Sequence, residues 1–527
     1  MRFGFWAKLA TVTALGFALR LLGTDWGEPY AYHFDEPFVL KPALRMVENG
    51  DPNPHFFRYP SLLIYLESIV VAANNVLGDM PLEVPNDPSY GPQDLYPETW
   101  PALYGGRHLV AAFGALGIFA VALVARATGG ATAGIFAAFA LAAFPLHVEH
   151  SHYLTTDVPA ATFLTFALAA LLTGPGGFGT LLAGVAAGLA MSTKYTAGAV
   201  LVLLVPIIAA ETRARPRILF SQIGLMSLAM FGAFVATTPY ALLDTHAFLS
   251  DVGIVKAHYT GGHLGAEGAA NWSWYLARLY QQGLGGAGLV LLVGGGLLAA
   301  WDAVRGSARA HDHRSAVSHR PFVALTLFAA AVLWFCWLGS VRVRFERNLL
   351  PAVVLACASA GHGWAVLLDR VRAWKPIAAK ILGVLLLAAV VAPATLTTRI
   401  ITGLRSADTR TLAVQWIEKN LPPGSSIVRE EYTPQPDGRR YRVRYVWSLA
   451  VQNASDYARN GVEYLIASQG IYGRILNDPE PQMRAMAERY QRMFLFRRVA
   501  SFAPGQNVSG PAIDVFEVPH AADDTDE

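Results

Sequence analysis

The sequence Tyr32-His33-Phe34-Asp35-Glu36-Pro37 places two adjacent carboxylates shortly after the first membrane-length apolar run, Phe3–Gly23. Ionisable groups beside a hydrocarbon core are usually kept for a function. Asp35 can alternatively be the N-cap of a helix predicted over Glu36–Glu48, and loop carboxylates are often simply solvated. Because adjacent helical residues point about 100° apart, one carboxylate can face a cavity while a neighbour holds the other. The pair therefore predicts a functional loop at the membrane surface.

The composition of the chain indicates a polytopic membrane protein. Its 527 residues are 54% hydrophobic and 15% charged, and the mean hydropathy is +0.35. This composition is too apolar for a soluble globular protein. The net charge of +3 is small and the basic residues are scattered between apolar runs, which argues against a nucleic-acid partner. The two cysteines lie within apolar runs and form neither a disulfide framework nor a zinc-binding pattern.

About eleven apolar runs are long enough to cross a hydrocarbon core of roughly 30 Å, and they predict about eleven transmembrane helices. The Gly and Ala residues of Gly129–Ala143 and Leu181–Ala190 favour close helix packing. Arg20 interrupts the end of the first run, so we expect a retained helix and not a cleaved signal peptide. The predicted runs are Phe3–Gly23, Tyr104–Ala127, Ala131–Leu146, Thr155–Leu172, Phe178–Met191, Thr196–Ala210, Ile218–Thr238, Leu284–Ala300, Pro321–Leu338, Leu349–Leu368 and Ile377–Thr397.

Basic residues between the runs orient these helices. If the odd-numbered helices run outward, the Arg- and Lys-rich connections all fall on one side, which the positive-inside rule makes the cytoplasm. The outer side then holds the loops Thr24–Leu103 and Pro239–Gly283 and all residues after Thr398. Counting Tyr59–Leu77 as a span would invert this bias, so we predict that it is an amphipathic helix in the outer interface. The orienting residues are Arg126, Arg213, Arg215, Arg217, Arg305, Arg309, Arg314, Arg320, Arg370, Arg372 and Lys375.

The composition changes after the last run. Residues 1–403 are predicted to form a transmembrane catalytic domain, and residues 404–527 a small extracytoplasmic soluble α/β domain. An acidic tail, Asp523–Glu527, is expected to be disordered. The elements predicted in this region are helices over Thr409–Asn420 and Pro481–Phe494 and strands over Ser426–Arg429, Val443–Trp447, Tyr464–Ser468 and Ile513–Val518.

Polar residues collect at the outward end of the third predicted helix. The segment His147–Asp157 contains His147 and His150, one helical turn apart, which is a permissible spacing for metal ligands. Interface histidines without a metal explain the same spacing, and this explanation is favoured. Asp157 lies inside the next apolar run, where an ionisable group predicts a functional site.

Basic residues also occur on the outer side, where the charge bias predicts few. Lys194 follows the fifth run, and Arg342, Arg344 and Arg347 follow the ninth. Chance snorkelling beside lipid headgroups is one explanation. The other is a phosphate-bearing ligand, because guanidinium groups match phosphate oxygens in a bidentate way.

One carboxylate and several cations are the groups that a lipid-phosphate sugar donor requires. The phosphate leaving group is already a stable anion, so cations replace the general acid of a glycosidase. The acceptor hydroxyl needs a base, and a single carboxylate such as Asp35 suffices for direct attack with inversion. We therefore expect an inverting glycosyltransferase of multi-pass membrane type.

The order of these residues resembles the dolichyl- and undecaprenyl-phosphate-sugar-dependent glycosyltransferases of the GT-C class. Within that class, the chain is most similar to the family of protein O-mannosyltransferases and lipid A aminoarabinose transferases. The resemblance covers roughly residues 1–400 and implies a GT-C type helical membrane fold. The segments that carry it are His33–Glu36, Phe57–Leu62, Gly105–Arg107, His152–Asp157, Ser192–Thr196 and Arg342–Pro351.

The resemblance implies that Asp35 is the base and that Glu36 orients it or holds a metal. In this sequence Ser61 follows Pro60 where the family has a second proline, which affects acceptor positioning more than the fold. Donor-phosphate binding is expected at Arg107, Lys194, Arg342, Arg344 and Arg347. The expected substrate-site residues are Arg58, His152, Tyr153, Asp157 and Tyr195. Some relatives bind a divalent metal and others do not, and no other cofactor is expected. The candidate ligands are His147, His150, His258 and His263, together with His55 and His246, and no spacing singles out a set.

The expected partners are a polyprenyl-phosphate sugar donor, membrane lipids and a lipid, glycan or protein acceptor. We expect a bacterial inner or plasma membrane location, with the active site outside the cytoplasm. The segment Tyr240–Trp274 has the length and Gly content of a mobile lid or a plain surface loop. A transporter or flippase is the alternative class, but the two halves of the chain show no repeat. A membrane-anchored scaffold would leave Asp35 without a role.

Overall fold

The computed structural model describes residues 2–86, 88–174, 176–212, 215–261, 264–265, 271–310, 320–478 and 480–519. Within these ranges, seven helical segments are long and apolar enough to cross a membrane. The chain is an integral membrane protein, as its composition predicts, and it is mostly helical, with a small strand-containing region at the C-terminal end.

Every predicted apolar run is helical, and two of the runs lie mostly in one helix, Trp100–Ala143. Three apolar helical segments are shorter than a full span: Leu62–Gly78, Asp157–Thr173 and Tyr195–Glu211. The helices of this part are α1 (Arg2–Leu21), α2 (Pro37–Asn49), α3 (Leu62–Gly78), α4 (Trp100–Ala143), α5 (Pro145–Glu149), α6 (Asp157–Thr173), α7 (Gly176–Thr193), α8 (Val200–Glu211), α9 (Pro216–Thr237), α10 (Tyr240–Leu243), α11 (Thr245–Gly261), α12 (Trp272–Arg278), α13 (Gly285–Ala310), α14 (Arg320–Ser340), α15 (Leu350–Trp374), α16 (Pro376–Val391) and α17 (Ala394–Leu404).

Helix α4 contains two of the predicted spans because the chain breaks at Gly130. This residue has φ of 79° and ψ of −169°, a conformation that side chains other than glycine rarely adopt. The two halves then pack closely, since a Cβ atom at Gly134 would lie 2.7 Å from the carbonyl oxygen of Ala122. The small residues predicted to favour packing therefore allow the chain to fold back on itself.

Small residues also set the spacing between other helices. Helix α7 packs on α9 at Gly184, where a Cβ atom would lie 2.5 Å from the Met226 carbonyl oxygen. Helix α15 packs on α4 at Gly361, where a Cβ atom would lie 2.6 Å from the Ala133 carbonyl oxygen. Helices α4, α6, α7 and α15 therefore form one packed group, in which α6 contacts α4, α7 and α15.

The outer segments differ in part from the prediction. Helix α3 has the apolar character expected of Tyr59–Leu77, but it buries Glu67 completely against α4. The segment predicted as a lid or loop is largely helical, because α10 and α11 occupy most of it. Asp244 precedes α11 and its Oδ1 accepts a hydrogen bond from the Ala247 N–H at 3.4 Å, which is an N-cap that the sequence reading missed.

The C-terminal region is a five-stranded mixed sheet with helices on both faces. The strand order is β3-β2-β4-β7-β5; β2 is parallel to β3 and β4, while β7 is antiparallel to β4 and β5. The predicted α/β character is confirmed, although strands β1, β5 and β6 and two short helices are additional. The elements are β1 (Ala407–Asp408), α18 (Thr409–Asn420), β2 (Ser426–Arg429), β3 (Arg442–Tyr445), α19 (Ala454–Arg459), β4 (Tyr464–Ser468), α20 (Gln469–Leu476), α21 (Pro481–Met493), β5 (Arg497–Phe502), β6 (Val508–Ser509) and β7 (Ile513–Glu517).

Consecutive apolar residues in the central strands explain why this sheet is covered on both faces. Ile427 and Ile466 pack with α18 on one face, while Val428 and Leu465 pack with α19, α20 and α21 on the other. Successive strand residues point to opposite faces, so continuously apolar strands such as β2 and β4 are buried on both sides.

The C-terminal region contacts the first outer loop directly. The Arg410 guanidinium donates to the Tyr32 carbonyl oxygen at 3.1 Å, and the Tyr32 hydroxyl lies 3.0 Å from the Thr411 hydroxyl. Arg429 donates to the Ser89 carbonyl oxygen at 2.9 Å. The predicted boundary at residue 403 falls within the last turn of α17 and stays a prediction.

Candidate active site

Arg347 joins the two carboxylates that the sequence singled out separately. Its Nη1 lies 3.1 Å from Oδ2 of Asp35, and its Nε lies 3.8 Å from Oδ2 of Asp157. Both carboxylates are nearly buried, while the Arg347 side chain is 21% exposed. One accessible cation is thus shared between two anions.

Lys194 completes the charge balance of this cluster. Its Nζ lies 2.5 Å from Oδ1 of Asp157 and donates to Oδ1 of Asn348 at 2.9 Å. All these residues sit at helix ends: Asp157 begins α6, Lys194 follows α7, and Asn348 precedes α15. Helix packing therefore brings together groups that lie far apart in sequence. We call Asp35, Asp157, Lys194, Arg347 and Asn348 the Arg347 cluster.

The free oxygen of Asp35 has a neutral partner. The Tyr59 hydroxyl donates to Oδ1 of Asp35 at 3.2 Å. The Asp35 side chain does not cap α2, since Glu36 is the N-cap residue and forms no side-chain hydrogen bond to the helix. The N-cap alternative is therefore not supported, and Asp35 points into the cluster.

His33 positions the backbone of Asp35. Its Nδ1 accepts a hydrogen bond from the Asp35 N–H at 3.3 Å, and its ring stacks on Tyr153 at a centroid distance of 4.3 Å. Burial lowers the pKa of His33, which favours the neutral ring that this acceptor role requires.

Glu36 occupies a separate, closed environment. Arg107 donates to both of its carboxylate oxygens, at 2.7 and 2.8 Å, and neither side chain is exposed. The Leu154 N–H also donates to Glu36, at 3.0 Å. The remaining Arg107 nitrogen donates to the carbonyl oxygens of Thr24 and Trp26. Arg107 therefore does not lie with the other predicted phosphate-binding cations.

A small cavity opens beside the cluster. Asp157, Lys194 and Asn348 form its polar side, and Trp334 and Trp337 contribute to its apolar side. We call it the Lys194 cavity. Its combination of a cation with an apolar wall suits a ligand that carries both an anionic group and a hydrocarbon chain.

The candidate metal ligands do not converge. Nδ1 of His147 lies 2.9 Å from Nη2 of Arg20, and the ring of His258 stacks on Phe345. Neither ring nitrogen of His150 has a hydrogen-bond partner among the described residues. No group of three His, Cys, Asp or Glu side chains within the described ranges is arranged to hold a metal ion. These residues do not fit a divalent metal, and His263 lies outside the described residues.

The other predicted site residues are dispersed around the cluster. Arg58 and Arg342 are exposed, and the Arg344 guanidinium lies over the Trp274 ring. The buried His152 ring contacts the carbonyl oxygens of Val148 and Leu22, and Tyr195 donates to the Phe57 carbonyl oxygen. Tyr153 supports His33. Of the twelve residues predicted as catalytic, phosphate-binding or substrate-binding, the structure brings four into the Arg347 cluster: Asp35, Asp157, Lys194 and Arg347.

Sequence reasoning did not assign roles to Tyr59, Asn348 or Trp334. Tyr59 and Asn348 lie within segments that carry the family resemblance, so position within those segments was the available signal. Trp334 donates to the Asn348 carbonyl oxygen at 2.8 Å from the middle of an apolar run, and no sequence pattern distinguished it from other tryptophans.

Comparison with known proteins supports the resemblance to GT-C glycosyltransferases. The family model described as dolichyl-phosphate-mannose-protein mannosyltransferase matches residues 103–241. A search of curated protein sequences found no match.

Solved structures resemble almost the whole chain. ArnT from Cupriavidus metallidurans bound to undecaprenyl phosphate is 15% identical, with a TM-score of 0.56 over 96% of this chain and 97% of that one. AglB from Archaeoglobus fulgidus, in complex with an inhibitory peptide and a dolichol-phosphate, is 12% identical, with a TM-score of 0.57 over 90% and 71%. The Archaeoglobus fulgidus oligosaccharyltransferase in complex with Zn and sulfate is 13% identical, with a TM-score of 0.55 over 89% and 69%. The chain therefore has the GT-C membrane fold, and the resemblance to this class of glycosyltransferases that its sequence predicts is confirmed.

Proposed function

We propose that the protein is an inverting glycosyltransferase that moves a monosaccharide from a polyprenyl-phosphate donor to an acceptor hydroxyl at the outer face of the membrane. The observation that carries this proposal is the position of Arg347 between Asp35 and Asp157. A phosphate that enters the Lys194 cavity can displace the Asp35 carboxylate from Arg347, which leaves Asp35 free to act as a base.

The donor phosphate binds Lys194 and Arg347, whose charges Asp157 balances while the site is empty. Arg344 and Arg342 extend this basic surface, as their sequence positions predict. The apolar wall of the Lys194 cavity receives the first part of the polyprenyl chain. The undecaprenyl phosphate bound to the similar ArnT structure supports a ligand of this kind.

In the reaction, a carboxylate oxygen of Asp35 accepts the proton of the acceptor hydroxyl while the hydroxyl oxygen forms a bond to the anomeric carbon. The bond between the anomeric carbon and the phosphate oxygen breaks, and the phosphate leaves with the electron pair. Arg347 and Lys194 stabilise the developing negative charge, so no general acid is required. Displacement in one step inverts the anomeric configuration.

Glu36 and Arg107 take a positioning role in this proposal. Because Arg107 uses its donors on Glu36 and on two backbone carbonyls, it holds the loop that carries Asp35. Glu36 also holds the Leu154 backbone, which lies just before Asp157. Phosphate binding by Arg107 would require this buried pair to open.

The location in a bacterial inner or plasma membrane, with the active site and residues 404–527 outside the cytoplasm, belongs to the proposal. The basic residues of the opposite face support this orientation. The transferred sugar is a hexose or a pentose. The acceptor is a lipid, a glycan or a protein.

Replacing Asp35 with Asn tests the proposal. The purified variant, assayed with a polyprenyl-phosphate sugar donor, should lose turnover by about 10²- to 10⁴-fold, because the amide cannot accept the hydroxyl proton. It should still bind the donor, since Lys194 and Arg347 remain. The matched control is Asp25→Asn, an exposed carboxylate of the same loop, which should transfer normally. Transfer at the normal rate by Asp35→Asn would refute the mechanism.

A further inference from the structure

A second cavity lies where the first outer loop meets the C-terminal sheet. Tyr32 and Phe34 line it from the loop, and Glu431, Tyr432 and Tyr445 line it from the sheet side. We call it the Glu431 cavity. It shares no lining residue with the Lys194 cavity.

The two arginines that line the Glu431 cavity are paired with carboxylates, whereas Glu431 itself lacks a hydrogen-bond partner in the described part of the chain. Arg410 forms a bidentate pair with Asp408 at 2.8 Å, and Arg429 pairs with Asp94. Glu431 is half-buried, and its carboxylate accepts no hydrogen bond from any residue within the described ranges. A polar group that faces a cavity without a partner marks a place where a ligand can donate hydrogen bonds.

The Glu431 cavity adjoins the proposed catalytic base. The rings of Phe34 and Tyr432 lie 5.7 Å apart, and Phe34 immediately precedes Asp35. Tyr432 has φ of 59°, a left-handed conformation that is uncommon for a bulky residue and is often found at functional sites. Phe34, which lines the cavity, thus connects it to the proposed base through one peptide bond.

The nearest edge of the sheet is occupied at one end. Strand β3 is an edge strand, and the N–H of Tyr445, its last residue, donates to the Pro88 carbonyl oxygen at 2.9 Å. Peptides that bind a sheet usually pair with a free edge. This contact disfavours pairing of an extended peptide at the Tyr445 end of β3.

We propose that the Glu431 cavity binds the acceptor, and that the acceptor presents a neutral sugar ring there. This inference rests on the proposed transferase function and names its acceptor class. A carboxylate accepts hydrogen bonds from two hydroxyl groups, and aromatic rings cover the apolar face of a sugar. Arg410 is paired with Asp408, Arg429 with Asp94, and Arg474 acts on Glu431, so neither a strongly cationic nor a strongly anionic ligand is favoured.

Burial raises the pKa of Glu431, and the nearby Arg474 opposes this shift. The guanidinium of Arg474 lies over the Tyr432 ring at 5.0 Å from its centroid. Arg474 therefore favours the ionised carboxylate, which is the form that accepts hydrogen bonds from two hydroxyls.

Binding to the full-length protein in lipid nanodiscs tests this inference. Saturation-transfer NMR is recorded with methyl glycosides of neutral hexoses and, separately, with a short Ser/Thr-containing peptide. At least one glycoside should bind the wild type, and Glu431→Gln should weaken that binding about tenfold or more, as expected for loss of a charged hydrogen-bond acceptor. Ala31→Leu, which places a larger side chain in the cavity wall without changing charge, should also weaken it.

The matched control is Glu488→Gln, an exposed carboxylate of α21, which should bind the glycoside as the wild type does. Absence of any glycoside signal, or normal binding by both cavity variants, overturns the inference. Peptide binding that the cavity variants lose, without glycoside binding, also overturns it in favour of a protein acceptor. This measurement uses no donor, so it is separate from donor turnover by the wild type, which tests the proposed function.

Discussion

Asp35 and Glu36 are neighbours in sequence, yet they lie in opposite kinds of environment. Glu36 faces Arg107, which is fully buried and donates to both carboxylate oxygens. Asp35 faces Arg347, which is partly exposed and also contacts Asp157. Each guanidinium nitrogen of Arg107 donates a hydrogen bond, so we call its ion pair with Glu36 the closed pair. Arg347 is shared between two carboxylates, so it can exchange one of them for a ligand.

This difference separates structural charge from exchangeable charge. Breaking a buried pair leaves an unpaired ion in a poorly hydrated place, so such a pair fixes its segment. A shared cation can instead transfer to an arriving phosphate while Lys194 still balances Asp157. The closed pair thus holds the loop that presents Asp35 to the open cluster.

Replacing Arg107 with Met should break the closed pair and have the largest effect on stability. Removal of one partner of a buried pair costs about 3–5 kcal/mol, because Glu36 would remain as an uncompensated buried charge. Thermal unfolding in detergent should therefore shift strongly downward. The control is Arg126→Met, which removes another arginine of α4, one whose guanidinium lies over the rings of Phe5 and Trp6. This change should lower the unfolding temperature much less.

An unchanged unfolding midpoint for Arg107→Met would show that the pair is not the structural support described above. In that case, the predicted phosphate-binding role would explain Arg107 better than a structural role.

Replacing Arg347 with Met should break the open cluster and affect mainly catalysis. Loss of a cation that stabilises the leaving phosphate is expected to lower kcat about 10²- to 10³-fold. Stability should fall less than in Arg107→Met, because Asp157 keeps Lys194 and Asp35 keeps Tyr59. The steady-state kinetics of donor consumption measure this effect. The control is Arg305→Met, which removes an exposed arginine stacked on Trp301. An equal loss of kcat in both variants would contradict the role of Arg347 in stabilising the leaving phosphate.

Replacing Tyr59 with Phe should sharpen the comparison by removing one neutral hydrogen bond to Asp35. A single such bond contributes about 1 kcal/mol, so a roughly fivefold change in kcat is expected. The matched control is Tyr65→Phe, whose hydroxyl donates to the Pro52 carbonyl oxygen instead. If both variants show the same kcat as the wild type, Tyr59 does not orient the base.

The sequence was sufficient to predict the helices and most strands, because their signals are local. Apolar runs and turn residues predicted α18, β2 and β4 with the bounds that the structure has. Helix α11 was missed because its histidines and glycines suggested a loop, while the capping role of Asp244 depends on a backbone contact that a pattern does not reveal.

The site was predictable in its members but not in its pairing. Asp157 is predicted from its place inside an apolar run, and Asp35 from its place beside a membrane-length run. Lys194 and Arg347 are predicted as cations on the side where the charge bias expects few. Arg107 was grouped with them, although it binds a carboxylate 71 positions away. Which cation meets which anion is decided by helix packing, and a single sequence does not contain that information.

Glu430 is a buried carboxylate that differs from Glu36 in its partners. Neutral donors hold Glu430, whereas a cation holds Glu36. It accepts hydrogen bonds from the Ser468 and Leu449 N–H groups, at 2.7 and 2.8 Å, and from the Tyr490 hydroxyl. Burial raises the pKa of Glu430 from 4.5 to about 8 despite these donors. Since the folded state binds this proton more tightly than the unfolded state does, the resulting stabilisation is full below about pH 4.5 and is lost as the pH rises towards 8.

Hydrogen exchange of the full-length protein at pH 5.5 and pH 8.5 measures this smallest effect. After correction for the intrinsic exchange rate, amides of Leu449–Val451 and α21 should lose protection at the higher pH, because both elements contact the Glu430 carboxylate. Helix α18 packs on the other face of the sheet and serves as the internal control. An equal loss of protection in α18 would mean that the pH dependence arises elsewhere. A loss confined to the Glu430 side would show that a buried carboxylate held by neutral donors responds to pH in this range.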